Sequence, residues 1–165
     1  QDEIVQDAFE MNSRFEFKER EKVFNVLNSN SNADLDVELP KQQIEISDDM
    51  ILYEVGQRLV NDGNVDAAFS LFKYYTVKFP NIVVAWNELG DVYRMKNNKE
   101  EAIKCYKQAL IVRPGNPRAT DNLEKLAKWF IALWIFKISR KTDHSTTSSQ
   151  FSEQFFHKVR DRLHS

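Results

Sequence analysis

The chain has 165 residues, a length typical of one domain with short appended segments. Apolar residues make up 42% and charged residues 29%, with four Gly and four Pro, which excludes collagen-like, linker-like and wholly disordered chains. The formal net charge is −2, so the strongly basic balance of nucleic-acid-binding domains is missing and no nucleic-acid partner is predicted. A single cysteine, Cys105, excludes an internal disulfide and a Cys-rich zinc site.

Residues 1–28 are predicted to form an N-terminal helical segment, in two pieces that meet near Ser13. Ser13 and Glu16 have the spacing of a capping box, which favours a helix start at this point. The second piece carries an apolar face made of Phe17, Phe24 and Leu27.

Residues 29–47 are predicted to be a polar linker that contains short extended pieces. Apolar and polar side chains alternate from Asp34 to Leu39, and again in Ile44–Ile46 after Pro40, with the period of a β-strand. The sequence therefore predicts a hairpin or an edge strand here. Because an isolated two-stranded hairpin is marginal in water, another element is expected to pair with it.

From residue 49 the chain repeats itself with a period of 34 residues. In each copy two stretches carry apolar residues at i, i+3, i+4 and i+7, so each copy is predicted to be a pair of helices that bury one stripe each. Alignment of the two copies gives six identical pairs: Glu54/Glu88, Gly56/Gly90, Asn64/Asn98, Ala68/Ala102, Lys73/Lys107 and Pro80/Pro114.

Helix boundaries are predicted at several polar or proline positions. Asn98 precedes Glu101 by three residues, the spacing of a helix N-terminus, and Pro117 suits the first position of a helix. Pro80 and Pro114 follow the second helix of each copy and mark its end.

The second copy resembles the tetratricopeptide repeat at every signature position. It reads W-x-x-L-G-x-x-Y from Trp86 to Tyr93 and continues with Ala102, Tyr106, Ala109 and Pro114. The first copy is similar to the same family, with Leu52, Leu59 and Tyr75 in place of a signature Trp, Tyr and small residue.

This resemblance implies an all-α fold, a tetratricopeptide-type α-solenoid of helix-turn-helix repeats, with flanking helices and the short extended segment. Repeat one is expected over residues 48–82 and repeat two over residues 83–116. Two repeats rarely bury enough surface alone, so the flanking segments are expected to complete the core.

Residues 117–140 are predicted to be a capping helix with an apolar end. Residues 129–136 are apolar around the whole circumference, which is unusual at the end of a repeat array. This run is predicted to be an interface made of Trp129, Phe130, Leu133, Trp134 and Phe136. Four covers remain open: the N-terminal helices or the C-terminal helix of the same chain, which we expect first, then another protein or a second copy, and last a membrane surface.

The C-terminal part is predicted to be a tether followed by a helix. Residues 141–150 are rich in Ser and Thr, and residues 151–165 form an amphipathic helix whose apolar stripe contains Phe155, Phe156, Val159 and Leu163. No run reaches the roughly 18 to 20 apolar residues that a membrane span requires.

The search for catalytic and metal-binding residues predicts none. All three histidines, His144, His157 and His164, lie in the C-terminal tail without a set of further ligands, so neither metal nor cofactor is predicted. Ser70 and Lys73 match S-x-x-K, but the further motifs of serine hydrolases of that type are missing.

The resemblance also implies a concave face, lined by the first helix of each repeat, that binds a protein or peptide partner. Its expected residues are Tyr53, Gln57, Asn87, Asp91, Arg94, Arg118, Asp121 and Lys125. The chaperone-binding members of the family grip a terminal carboxylate with Lys, Asn and Arg at set positions. This sequence has Tyr53, Gln57, Glu88 and Asn122 at four of those positions and keeps a basic residue only at Arg118. The carboxylate-binding function is therefore not predicted.

The leading hypothesis is a non-catalytic repeat module that mediates protein–protein or domain–domain contact, with self-association into a homodimer as one form. The alternative is an accessory C-terminal domain of a larger bacterial serine hydrolase, because two repeats and one cap resemble tails appended to such enzymes. In that case residues 35–46 would be left over from the sheet of a catalytic domain that this chain does not contain.

Overall fold

The computed structural model describes residues 17–46 and 48–139, and over residues 134–139 it describes the backbone alone. Within these residues the regular structure is entirely helical, which confirms the predicted all-α fold. The seven helices are α1 over residues 17–29, α2 Leu35–Lys41, α3 Asp49–Asn61, α4 Val65–Lys78, α5 Val83–Met95, α6 Lys99–Val112 and α7 Pro117–Ser139.

Each copy of the 34-residue repeat is a pair of packed helices, and the pairs stack in chain order. Helix α3 packs on α4, α4 on α5, α5 on α6 and α6 on α7. The predicted stripe of α3 is buried, with Leu52, Val55 and Leu59 at most 2% exposed. This arrangement is the solenoid expected from the period, because each helix covers the apolar face of its neighbour.

An aromatic ring lies directly on a glycine within each pair. A Cβ atom placed on Gly56 would lie 2.3 Å from Cζ of Phe72, and one placed on Gly90 would lie 2.6 Å from Cε1 of Tyr106. Both rings are fully buried. The helices therefore approach to a separation that leaves no room for a side chain at these two positions.

The helix ends agree with the predicted boundaries. The Asn98 side chain accepts a hydrogen bond from the Glu101 amide at 3.3 Å, and α7 begins at Pro117. The turns between paired helices place Gly63 at φ 77° and its equivalent Asn97 at φ 58°. Gly, and after it Asn, are the residues that most readily adopt this left-handed backbone.

Helices α1 and α2 form a further, shorter pair that covers the N-terminal side of repeat one. Arg20 Nε lies 2.6 Å from a carboxylate oxygen of Glu54, and the Arg58 guanidinium stacks 3.7 Å from the Phe24 ring centroid. Lys78 on α4 bonds to Asp36 on α2 at 2.7 Å. This pair supplies the additional burial expected of the flanks. Residues 1–16, also predicted to be helical, lie outside the described residues.

The prediction of extended structure in residues 35–39 was wrong, because α2 is helical. Leu35 and Leu39 are buried, and Val37 between them is 56% exposed, whereas a strand would place all three on one face. A spacing of four residues fits one face of a helix as well as one face of a strand. Asp34 caps the helix by accepting from the Asp36 amide at 3.1 Å. A remnant of a catalytic sheet is therefore not found at this place.

None of the helices in the described part of the chain is long and apolar enough to cross a membrane. The predicted tether, the C-terminal helix and the three histidines lie in residues 140–165, outside the described residues.

Replacing Gly90 by alanine tests the ring-on-glycine contact in repeat two. We expect Gly90→Ala to lower the free energy of unfolding by about 1–3 kcal/mol, because the new methyl group overlaps the buried ring of Tyr106. Urea denaturation followed by circular dichroism measures the loss. Gly63→Ala is the comparison. A methyl group at Gly63 would face open space, but the backbone there has a positive φ, so any loss of stability would arise from backbone strain and not from overlap with a ring. An unchanged or higher stability of Gly90→Ala would contradict the close contact.

Candidate partner-binding site

The residues predicted to form the concave face recur at intervals of 34 on α3, α5 and α7. Tyr53, Asn87 and Asp121 occupy one set of equivalent positions, and Gln57, Asp91 and Lys125 occupy another. Equivalent positions on three successively stacked first helices share one face of the array. Arg94 and Arg118 belong to two further sets of the same face.

Glu88 on α5 is the centre of a hydrogen-bonded network across this face. The Gln57 amide on α3 donates to Glu88 Oε2 at 2.7 Å, and Arg118 Nη1 on α7 donates to Glu88 Oε1 at 2.5 Å. Glu88 is only 3% exposed. One buried carboxylate therefore joins three first helices that are not adjacent in the chain.

Asp91, one turn further along α5, extends the network. Arg118 Nη2 donates to Asp91 Oδ2 at 2.5 Å, so the guanidinium bridges two carboxylates. The Tyr106 hydroxyl and the Asn122 amide donate to Asp91 Oδ1 at 2.6 and 3.2 Å, and Arg94 contacts the same oxygen at 3.3 Å. With four donors, the carboxylate of Asp91 is largely saturated.

Two donors of this network, Arg118 and Tyr106, have a pKa raised above its ordinary value. Partial burial opposes the charge of Arg118, but the bonds from Glu88 and Asp91 outweigh it and raise the pKa of the guanidinium. Burial raises the pKa of the Tyr106 hydroxyl, and its hydrogen bond to Asp91 raises it further. Two carboxylates and two guanidinium groups leave the centre of the face electrically balanced.

The structure brings together four of the eight predicted site residues, namely Gln57, Asp91, Arg94 and Arg118. Asn87 is 2% exposed and donates to Asn116 Oδ1 at 3.2 Å, so it belongs to the joint between α5 and the start of α7. Among the described residues, no hydrogen bond joins Tyr53, Asp121 or Lys125 to the network.

Sequence reasoning missed the role of Glu88, Tyr106 and Asn122 as members of one network. A usable signal was present, since Gln57 and Glu88 are separated by 31 residues and Glu88 and Arg118 by 30. These separations are three or four residues shorter than the 34-residue period. The second side chain of each pair therefore lies about one helical turn before the position equivalent to the first, from where it can reach across to the neighbouring first helix.

A carboxylate-binding clamp needs cations that are free to meet a ligand. Arg118 is the one basic residue kept at those positions, and it is already bonded to Glu88 and Asp91. The network thus gives a physical reason why a terminal carboxylate is not expected to bind here.

The other residues considered for chemistry are engaged in packing or in local hydrogen bonds. The Ser70 hydroxyl donates to the backbone carbonyl of Ser31 at 2.7 Å. Burial raises the pKa of the Cys105 thiol to about 12, which keeps it in the unreactive protonated form. The part of the chain that the structure describes contains no group of three or more His, Cys, Asp or Glu residues arranged to hold a metal ion.

The apolar end of α7 is exposed at its start. Trp129 is 42% and Phe130 38% exposed, with their rings in edge contact at 5.1 Å, and Lys99 lies over the Trp129 ring. Ile131 is buried and Leu133 half-buried. Helix α1 packs on α3, so it is not the cover of this end; the side chains of Trp134 and Phe136 lie outside the described residues.

Removal of Arg118 tests the network. We expect Arg118→Met to lower the free energy of unfolding by about 1–3 kcal/mol, because Glu88 remains buried and loses its charged partner. Chemical denaturation provides the measurement. Arg94→Met serves as control: Arg94 is half exposed, its contact with Asp91 is long at 3.3 Å, and Asp91 keeps its other donors, so a change within about 0.5 kcal/mol is expected. A loss in Arg118→Met as small as about 0.5 kcal/mol would show that the network does not depend on Arg118.

Comparison with known proteins supports this description of the fold. Residues 83–116 match the family model of the tetratricopeptide repeat. No curated protein sequence matches the chain. A crystal structure of a proposed protein-binding protein from Bacteroides ovatus is similar to it, with a TM-score of 0.60 and 15% sequence identity, covering 98% of this chain and 80% of that one. The chain therefore carries a tetratricopeptide repeat at residues 83–116, within a repeat fold whose regular structure is helical throughout the described residues.

Proposed function

We propose that the chain is a non-catalytic interaction module that binds a protein partner along the concave face of α3, α5 and α7. The observation that carries the proposal is a set of exposed apolar side chains on that face. Met50 is 45% exposed and Met95 is 49% exposed. By the 34-residue period Met50 corresponds to Arg118, and Met95, the residue after Arg94, corresponds to Trp129. Methionine side chains adapt to the shape of a bound partner, which suits a peptide or helix of mixed composition.

The polar centre of the face supports the same proposal by limiting the partner's chemistry. The Glu88, Asp91 and Arg118 charges are paired within the chain, so no strong local field selects an acidic or basic ligand. A partner segment with apolar side chains spaced for a helix or extended strand fits the exposed methionines and Tyr53 better than a charged terminus does.

The similar structure adds support for an interaction module, because the Bacteroides ovatus protein is described as a proposed protein-binding protein. Neither this structure nor the matched family points to a serine hydrolase. The engaged Ser70 hydroxyl and the helical α2 also give no support to the alternative that the chain is an accessory part of such an enzyme.

A peptide-display selection against the folded chain, followed by calorimetric titration of the selected peptides, tests the proposal. We expect the double variant Met50→Ala with Met95→Ala to weaken binding at least tenfold, a loss of about 1.4 kcal/mol. The matched control is Val77→Ala with Ile111→Ala, two exposed apolar residues on the second helices α4 and α6. Binding that survives the methionine changes but is lost in the control would place the site on the opposite side and contradict the proposal.

A further inference from the structure

Helix α7, which follows repeat two and corresponds to the first helix of a repeat, is much longer than α3 and α5. Helix α7 has 23 residues, whereas α3 and α5 have 13 each. The equivalent helices end at Asn61 and Met95, which correspond to Trp129, and α7 continues for ten further residues. Trp129 and Phe130 are exposed at the start of this extension. Aromatic side chains are enriched in protein–protein interfaces, so this pair is a place where a partner could bind.

The surroundings of these aromatic residues are basic. Lys125 and Lys128 are exposed on α7, one turn or less before Trp129. The sequence from residue 125 to 142 contains five basic residues and no acidic one, and the exposed Glu124 directly precedes it. Because like charges repel, two such ends do not pair with each other, and the surface fits an acidic partner.

The chain itself carries a strongly acidic region at the opposite end of the array. Residues 17–68 contain eleven acidic and five basic side chains, whereas residues 69–133 contain six acidic and eleven basic ones. The repeat array is therefore polarised, with an acidic N-terminal part and a basic C-terminal part. Such an array has complementary charges at its two ends.

Helix α2 concentrates this acidity around an exposed apolar side chain. Val37 is 56% exposed and stands between Asp36 and Glu38, with the N-cap residue Asp34 nearby in the chain. Asp36 pairs with Lys78 at 2.7 Å and Glu38 with Lys41 at 3.2 Å, and solvent-exposed ion pairs of this kind are weak enough to exchange for the charges of a partner. The inner side of α2 packs on α4, and within residues 17–46 and 48–139 no helix is seen to cover its outer side at Val37. The α2 surface thus has the apolar Val37 surrounded by acidic residues, and the α7 surface has Trp129 and Phe130 beside basic residues. The two surfaces are complementary in charge and both have an apolar centre.

We propose that the protein associates head to tail with copies of itself. The basic aromatic end of α7 in one copy, Lys125, Lys128, Trp129 and Phe130, docks on the acidic outer side of α2 in the next. The two contacting surfaces differ, so the contact is heterologous and propagates into a ring or an open chain, unlike a two-fold dimer. Since charge complementarity contributes to the contact, the association weakens with salt.

Light scattering at several protein concentrations and at low and high ionic strength tests the proposal on the full chain. At low ionic strength the molar mass is expected to rise with concentration from 19.4 kDa to beyond twice that value, and to fall back at high ionic strength. Lys125→Glu with Lys128→Glu, and separately Asp36→Lys with Glu38→Lys, should each stay near the monomer mass. An equimolar mixture of the two variants should associate again, because unlike copies then carry complementary surfaces.

A matched control is Lys104→Glu with Arg113→Glu, which makes the same change of net charge at exposed positions of α6 and its C-terminus. This control is expected to associate like the unaltered chain. Trp129→Ser with Phe130→Ser tests the same surface without altering charge, and circular dichroism verifies the fold of every variant.

Several results would overturn the proposal. A monomer mass at all concentrations and low salt would exclude self-association, and a mass fixed at twice the monomer would indicate a symmetric dimer. Association that persists in the Lys125→Glu, Lys128→Glu variant would place the contact elsewhere. If the unaltered chain stays monomeric and binds phosphatidylserine vesicles through Lys125 and Lys128, the occupant of the α7 end is an anionic membrane surface.

Discussion

The packing of an aromatic ring on a glycine determines the geometry of this protein. Gly56 and Gly90 let the second helix of each pair approach until the rings of Phe72 and Tyr106 contact the first helix backbone. This separation fixes how the pairs stack, because each second helix must also pack on the next first helix. The first helices are thereby aligned side by side, which is the condition for the network around Glu88 to join three of them.

The repeat itself was predicted from the sequence, whereas the polar network was missed although its spacings of 30 and 31 residues carried a signal. A period of 34 residues, the glycine positions and the boundaries at Asn98 and Pro117 all follow from local rules that the structure obeys. The helix α2 was missed because two leucines four residues apart fit both a helix and a strand, and only packing on α4 separates the two. The hydrogen-bonded network around Glu88 was missed because it depends on how α3, α5 and α7 are placed relative to one another.

The structure divides the predicted concave site into residues that brace the array and residues that remain exposed. Some residues of the predicted concave site hold α3, α5 and α7 together through hydrogen bonds, and their charges are paired within the chain. These residues are Gln57, Asp91 and Arg118. The exposed methionines of that face and the aromatic end of α7 remain open to partners. We propose that the face with the exposed methionines binds a peptide and that the aromatic end of α7 mediates self-association. The acidic N-terminal part and the basic C-terminal part of the array account for the head-to-tail direction of this association.

Repeat one is the stricter test of the account, since the family model matches repeat two alone. A double-mutant cycle of Gly56→Ala and Phe72→Leu, measured by urea denaturation, tests the ring-on-glycine contact there most directly. We expect the alanine to lower the free energy of unfolding by about 1–3 kcal/mol beside Phe72 and by little or nothing beside the smaller leucine, which gives a coupling energy above about 1 kcal/mol. The same alanine cost in both backgrounds would contradict the contact and, with it, the equivalence of the two repeats.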